Sequence, residues 1–300
     1  MTVNELTDKQ KVKELKVLVQ TCERTKARNS NEYLKGTLTD KSGSIGFKVW
    51  NNLDSMETIL KPGNAVIIKD GVVDSYKGTL DLKIAVAEKC KGAVKNLVPS
   101  TYLDEEAIES RLGKIMTWIK EDDIDIAPII KTLKETDLWE AFMTVPAAIR
   151  HHHAYRGGLI THTLEACEIA YNMAYTLRGD PNVKVDIGAL LCAALFHDIG
   201  KIPEYVADDV SGLFTDQTLN GQLMGHHFLS TNFVNKQLGP HIDPRRLELV
   251  QHCILSHHGR REWDAAVDPK TIEAVILHCA DWSSSQAAPR TQWYKDELEK

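Results

Sequence analysis

Hydrophobic periodicity changes once along this chain of 300 residues, and that change dictates two folding units of different class. Up to Ala87 the apolar residues alternate with polar ones, most clearly in Ile45/Phe47/Val49 and in Leu80/Leu82/Ile84/Val86. A period of two makes strands with one buried face. Beyond Asp104 the apolar residues recur every three or four positions, which makes helices. Residues 88–103 (EKCKGAVKNLVPSTYL) have no strong period and hold Gly92, Pro99 and Ser100. The expected organisation is therefore a β unit over 1–95, a linker over 96–103 and a helical unit over 104–300. The length suffices for two separate cores.

In the first unit the candidate strands are Glu14–Cys22, Glu32–Asp40, Gly43–Trp50, Asn64–Val73 and Thr79–Ala87. Turn signals separate them at Asp40-Lys41-Ser42-Gly43, Lys61-Pro62-Gly63-Asn64 and Tyr76-Lys77-Gly78. Asn51–Leu60 reads as a short helix. Three strands, a helix and two strands is the order of an OB-fold barrel, a scaffold for oligonucleotides. If Ile45, Phe47 and Val49 face inward, Lys48 and Trp50 face out, and Tyr33 and Lys35 share a face of the preceding strand. The loop between the first and second strands carries Arg24, Lys26 and Arg28, and Tyr76 and Lys77 lie in the last hairpin. Aromatic rings stack on bases while basic side chains track the backbone. Residues 1–100 carry 17 Lys+Arg against 12 Asp+Glu, a net +5, which leaves 19 against 30, a net −11, for residues 101–300. A basic module suited to polyanions precedes an acidic one suited to cations.

The second unit reads as all-α: Asp104–Lys120, Ile126–Glu135, Asp137–Thr144, Leu159–Leu177, Val185–His197, Leu219–Leu238, Pro244–Ser256 and Pro269–Ser284. The six cysteines stand singly with no CxxC spacing, as reduced core residues do. With no apolar run of membrane length and no apolar leader at the N-terminus, the expected location is cytoplasmic, away from membranes.

All 12 histidines lie beyond residue 150. At the centre is LFHDIGK, where an apolar helix from Ile187 delivers His197 and Asp198 to its end, with Gly200 as a terminator and Lys201 beyond. A buried carboxylate is costly unless it meets a cation. Further candidate ligands lie on other helices: His162 in GGLITHTLEA, His226-His227 in GQLMGHHFLS, His257-His258 in ILSHHGR and Asp281 in LHCADWSSSQ. Imidazoles and carboxylates without thiolates suit a hydrolytic transition-metal centre. Two ions could be held if Asp198 bridges them, and such a pair can clamp the attacking and leaving oxygens at phosphorus.

The order His162, His197-Asp198, His226, His257 or His258, Asp281 resembles the HD-domain phosphohydrolases. HHHAYRGGLITHTLEA, ALFHDIGK, GQLMGHHF and LSHHGRREW, after a barrel containing GFKVW, resemble more closely the YhaM-like 3′→5′ exoribonucleases, over roughly Leu15 to Ser285. The resemblance implies one metal on His162, His197, Asp198 and Asp281, and a second on Asp198, His226 and one of His257 and His258, with His257 favoured. It implies two divalent ions, manganese first, with cobalt, iron, nickel or zinc as alternatives. Lys201 would meet the scissile phosphate, and His152 or His153 would contact substrate or support a ligand. Arg260 could engage the substrate backbone. His227 is expected to orient a neighbour or face solvent, His241, His252 and His278 to be structural, and Gly157-Gly158 to permit close packing. The implied activity is metal-dependent 3′→5′ hydrolysis of single-stranded RNA and, less strongly, DNA. The alternative is a phosphodiesterase or phosphatase for cyclic or free nucleotides. Single-stranded nucleic acid is the expected partner, and a homo-oligomer is left open.

Overall fold

The computed structural model describes every residue except 28–29, 77–78, 91–96, 150–152, 209–211 and 299–300, with the side chains of Tyr76 and Asp296 also set aside. The chain forms two compact units, Met1–Ser100 with Ala207–Thr215, and Thr101–Val206 with Asp216–Lys300. The helical unit expected to run unbroken from 104 thus lacks Ala207–Thr215. Within the first unit Leu213 is buried in a small cluster with Leu18 and Val98, an apolar contact between segments far apart in sequence.

The first unit contains β1 (Lys11–Val12), β2 (Leu15–Lys26), β3 (Glu32–Asp40), β4 (Gly43–Val49), α1 (Leu53–Ile59), β5 (Ala65–Tyr76) and β6 (Thr79–Lys89). β2 pairs with β3, β3 with β4, β5 with β6 and β2 with β5, all antiparallel, while β4 and β6 run parallel. The five pairings form a ring, so these strands close a barrel in OB-fold order. The alternation of Leu34, Leu38, Ile45, Phe47, Val49, Leu82 and Ile84 supplies its buried interior. Gly36 stands opposite Phe47, and a Cβ there would overlap both that ring and the Thr21 carbonyl. The alternation fails at Val86, which is 45% exposed, while Ala87 is buried. The register slips on either side of Asp70 in β5, and this bulge exchanges the inward and outward positions of β6 beyond Ile84.

The helical unit contains α2 (Glu105–Lys120), α3 (Ala127–Lys134), α4 (Asp137–Thr144), α5 (Gly158–Leu177), α6 (Ile187–Phe196), α7 (Lys201–Glu204), α8 (Leu219–Gln237), α9 (Pro244–Ser256) and α10 (Ile272–Leu298). A short two-stranded ribbon of β7 (Tyr205–Ala207) and β8 (Phe214–Gln217), absent from the helical reading, lies between α7 and α8 in sequence. Every residue of α6 is buried, and it packs against α2, α5, α9 and α10. Its N-terminus is capped by Asp186, which accepts from the Ala189 amide, and Arg246 clamps the Asp186 carboxylate through two nitrogens. A helix apolar on all sides is a core helix, and it delivers the residues beyond its last turn to the interior. None of the described helices is long and apolar enough to cross a membrane.

Candidate metal centre

His197 is the C-cap of α6 and His257 the C-cap of α9, and both use one local device. The last carbonyls of a helix lack intrahelical donors. His197 Nδ1 donates to the Ala194 carbonyl at 2.8 Å, and His257 Nδ1 to the Ile254 carbonyl at 2.6 Å. Each bond consumes Nδ1 and presents Nε2 inward. The network assigns His162 the same way: Ser284 Oγ donates to Glu165 at 2.7 Å and so accepts from His162 Nδ1 at 2.9 Å. His226 Nδ1 lies 3.1 Å from Glu204 Oε2. Orienting one ring nitrogen through a carbonyl, hydroxyl or carboxylate is how metal-binding histidines are held.

The Nε2 atoms converge on Asp198. His162 Nε2 is 3.2 Å from His197 Nε2, 3.1 Å from Asp281 Oδ1 and 3.5 Å from Asp198 Oδ2. His197 Nε2 is 3.3 Å from that same Asp198 oxygen. The other carboxylate oxygen, Oδ1, is 3.7 Å from the Nε2 atoms of both His226 and His257. Asp198 therefore turns one oxygen to each of two donor sets. Lys201 Nζ donates to Asp198 Oδ2 at 2.7 Å and is buried with it.

These donors fit a divalent cation. Two ligand atoms each ~2.0–2.2 Å from one ion lie about 3 Å apart when they subtend roughly a right angle, as the spacings around His162 do. Asp198 Oδ1, His226 Nε2, His227 Nε2 and His257 Nε2 are buried without a hydrogen-bond partner among the described residues, although buried polar groups are ordinarily satisfied. Charge points the same way. Burial pushes His162, His226, His257 and His258 below the usual imidazole range, leaving neutral rings with a lone pair to give. Burial and the neighbouring His258 bring His227 down to about 4. His197 goes the other way: burial lowers it, but Asp198 and Asp281 more than offset this, so the carboxylates favour a positive charge at that point. Burial would raise Asp198 too, but Lys201 and His197 outweigh it and hold the carboxylate ionised.

The expected ligands His162, His197, Asp198, His226, His257, His258 and Asp281 all come together. His258 is half-buried, with Nδ1 3.0 Å from the Trp263 carbonyl and its ring beside His226 and His227. The solvent-facing alternative for His227 is overturned, because the ring is 7% exposed and packs on His226, His257 and His258. Gly200 is not the residue that ends α6, which stops at Phe196; it sits in the turn before α7 with right-handed angles, φ −64° and ψ −16°. Its missing side chain makes room for α8, since a Cβ would overlap the His226 carbonyl and Ser230, and its amide donates to Ser230 Oγ at 2.9 Å. Gly157 has φ +73° at the start of α5, and a Cβ on Gly158 would overlap the His153 carbonyl. His153 Nε2 lies 3.2 Å from Glu165, its ring packs beside that of His162 with centroids 5.3 Å apart, and its side chain is 8% exposed, so it does not line open space. His151 and His152 lie outside the described residues. His278 Nδ1 donates to the His257 carbonyl at 2.9 Å, His252 Nε2 accepts from the Lys270 amide, and His241 is exposed.

Sequence reasoning missed Glu165, Ser284 and Glu204. The signal was spacing: Glu165 stands three residues after His162, Ser284 three after Asp281, and Glu204 three after Lys201, each on its neighbour's helix. Burial raises Glu204 to about 7. Burial also raises Glu165, but hydrogen bonds from His153 and Ser284 outweigh it and hold it at about 2. Also missed were Trp263 and Trp282, which with Lys201, His258, His278, Asp281 and Ser285 line a cleft of about 280 Å³. That is near the lower end for small-ligand pockets, ~300 Å³. Arg260 is exposed, its guanidinium 5.0 Å over the Trp263 ring.

On the barrel, Tyr33 and Trp50 stack on each other, centroids 4.4 Å apart and planes 16° from parallel. The outward lysines are paired, Lys35 with Glu23 at 2.8 Å and Lys48 with Asp81 at 2.6 Å, and Arg24 pairs with Asp54 and Glu57. These side chains are neutralised where they stand, so the net +5 of residues 1–100 resides on other residues; Arg24 and Lys26, expected in the loop after the first strand, lie within β2. The Tyr76 side chain, Arg28 and Lys77 lie outside the described residues.

Residues 159–285 match the HD domain family. Proteins named 3′-5′ exoribonuclease YhaM align along most of the chain. The one from Shouchella clausii is 30% identical over 274 residues, 88% of this chain and 81% of the relative. That from Bacillus subtilis is 28% identical over 271 residues, 88% and 82% of the two chains. That from Listeria monocytogenes is 29% identical over 272 residues, 89% and 83%. The second OB-fold domain of replication protein A from Methanococcus maripaludis, 18% identical, covers 31% of this chain and 95% of its own, with a TM-score of 0.25.

Proposed function

The chain belongs to the family of the YhaM 3′-5′ exoribonucleases, and on that premise we propose that its His–Asp centre shortens single-stranded RNA from the 3′ end. That it is a phosphodiester hydrolase rests on the family and the HD domain together. The observation that supports a metal-dependent reaction is Asp198, buried between two sets of inward-facing Nε2 atoms, while the polarity and the choice of RNA come from the family.

His162, His197, Asp198 and Asp281 would hold one divalent ion, and Asp198, His226 and His257 a second. Bound there, such ions would supply Lewis acidity toward a phosphoryl oxygen and lower the pKa of a water. The chain's own groups do the rest. Glu165 through Ser284, and the Ala194 and Ile254 carbonyls, lock the rings so that the lone pairs need no reorganisation. Lys201, buried against Asp198 and lining the cleft, places a point charge for the non-bridging phosphate oxygens. Trp263 and Trp282, each about half exposed, offer faces on which a terminal base can stack. On the barrel, the outer face of Trp50 is the open stacking surface, with Tyr33 as its backing ring.

The reading is tested with 5′-labelled single-stranded RNA and DNA under Mn²⁺, Co²⁺, Mg²⁺ and Zn²⁺. A ladder of progressively shorter labelled products is expected. Labelled mononucleotide as the first product would reverse the polarity. Intact oligonucleotide with turnover of cyclic or free nucleotides would replace the substrate class.

The barrel's role has its own test. Trp50→Ala should weaken single-strand binding by roughly 1–3 kcal/mol, about 5- to 150-fold. Tyr33→Ala should cost less, because it removes the backing ring rather than the contact. Hydrolysis of a small phosphodiester should be untouched by either. Equal affinities for wild type and Trp50→Ala would make the pair a packing feature only.

A further inference from the structure

Two adjacent histidines on one helix point about 100° apart and do not ordinarily meet the same ligand. Both pairs here escape that rule, each for a visible backbone reason. His226-His227 come directly after Gly225, whose φ +66° and ψ 160° break α8 in two, so the pair opens a new helical segment. That region of backbone space is open essentially to glycine alone and tends to occur at functional sites. A Cβ at Gly225 would meet nothing within 4 Å, so conformation and not space requires the glycine. His257-His258 close α9, and Gly259 at φ +82° turns the chain away immediately after.

The four rings meet as a result. Centroids are 4.2 Å apart for His226–His227, 4.7 Å for His227–His257, 4.5 Å for His227–His258 and 4.4 Å for His257–His258. One nitrogen from each lies within 4.8 Å of those of the others. The Nε2 atoms of His226, His227 and His257 are buried without a hydrogen-bond partner among the described residues. His258 directs Nδ1 to the Trp263 carbonyl, so its Nε2 remains to give. A second cluster, His162, His197 and Asp281, shares no residue with the first, and His197, Asp198 and His257 join the two.

We propose that His227 joins His226, His257 and one oxygen of Asp198 as a ligand, with His258 alongside, in a nitrogen-rich cation site, and that this site selects an ion of the Zn²⁺, Co²⁺ or Ni²⁺ class. The His162–His197–Asp198–Asp281 site, with two carboxylates, would then take a harder ion such as Mn²⁺. Imidazole favours zinc, nickel and copper, whereas carboxylate favours magnesium and manganese. The proposal rests on the metal-dependent reading of the same centre and assigns its two halves different metals.

The test uses the full chain stripped of metal and titrated with Co²⁺, Zn²⁺ and Mn²⁺, read by calorimetry, elemental analysis and the visible spectrum of bound Co²⁺. Two binding steps are expected, one giving the intense bands of four-coordinate Co²⁺. His227→Gln should weaken that step at least ~10- to 100-fold and leave the other in place, while Asp281→Asn should do the reverse. Zn²⁺ added to Mn²⁺-loaded protein should displace one equivalent. Wild-type affinity in both steps for His227→Gln would overturn the proposal, as would failure of Zn²⁺ to displace Mn²⁺ selectively. The wild-type spectrum and displacement need no variant, so poor folding of His227→Gln leaves the proposal exposed to refutation. A negative RNA assay with two-step binding intact would sink the nuclease reading alone.

Discussion

Asp198→Asn is expected to abolish hydrolysis of single-stranded RNA, by at least ~10³-fold. The metal-borne charge stabilisation that it removes is worth several kcal/mol, and each ~1.4 kcal/mol is a factor of ten. Asparagine keeps the shape but cannot give one charged oxygen to each donor set, the role placed between His162/His197 and His226/His257. It also leaves the buried Lys201 ammonium without its carboxylate, which costs roughly 3–5 kcal/mol in such sites. Loss of activity by unfolding and loss by chemistry must therefore be separated. The double variant Asp198→Asn/Lys201→Met removes the stranded charge as well. It should melt at a higher temperature than Asp198→Asn and remain inactive. If the double variant regains stability and activity together, Asp198 is a structural residue.

Gly200→Ala should be the second most damaging change, although glycine at 200 touches no substrate. A Cβ there would overlap the His226 carbonyl and the backbone and hydroxyl of Ser230, so α8 must move away from the end of α6. Overpacking of this kind costs about 1–3 kcal/mol of stability. His226 would move with α8, and a displacement of ~1 Å at a catalytic constellation can cost ~10²-fold in rate. Gly113 provides the control. It lies inside α2 with nothing within 4 Å of a built Cβ, so Gly113→Ala should stabilise by about 1 kcal/mol and leave turnover unchanged. Thermal melts, metal affinity and RNA turnover measured on both variants decide the matter. Wild-type turnover in Gly200→Ala would show that α8 and His226 can accommodate the methyl group.

Much of this molecule is legible in one dimension. Alternation at Ile45/Phe47/Val49 and the uninterrupted apolar run of α6 fix strand and helix because burial imposes the period of each element on its side chains. The same local logic identifies His162, His197, Asp198, His226, His257 and Asp281 as candidates, since a helix can bring an imidazole or carboxylate inside only where the cost of burial is met. What local periodicity cannot see is a change of backbone direction. The Asp70 bulge turns Val86 outward, and the Gly225 break brings His227 inward beside His226. Both departures depend on backbone angles that other elements hold in place.

Sequence alone therefore determined that a β region precedes a helical one and which side chains are candidate donors, because each arises from the pattern of residues within one segment. Only the tertiary structure decided which nitrogen of each ring faces Asp198, that Ser284 and Glu165 stand behind His162, that Tyr33 is spent on Trp50, and that Lys35 and Lys48 are already paired. Those outcomes depend on distances between segments as much as 122 residues apart, and charge, stacking and hydrogen bonding are resolved only when the partners are in place.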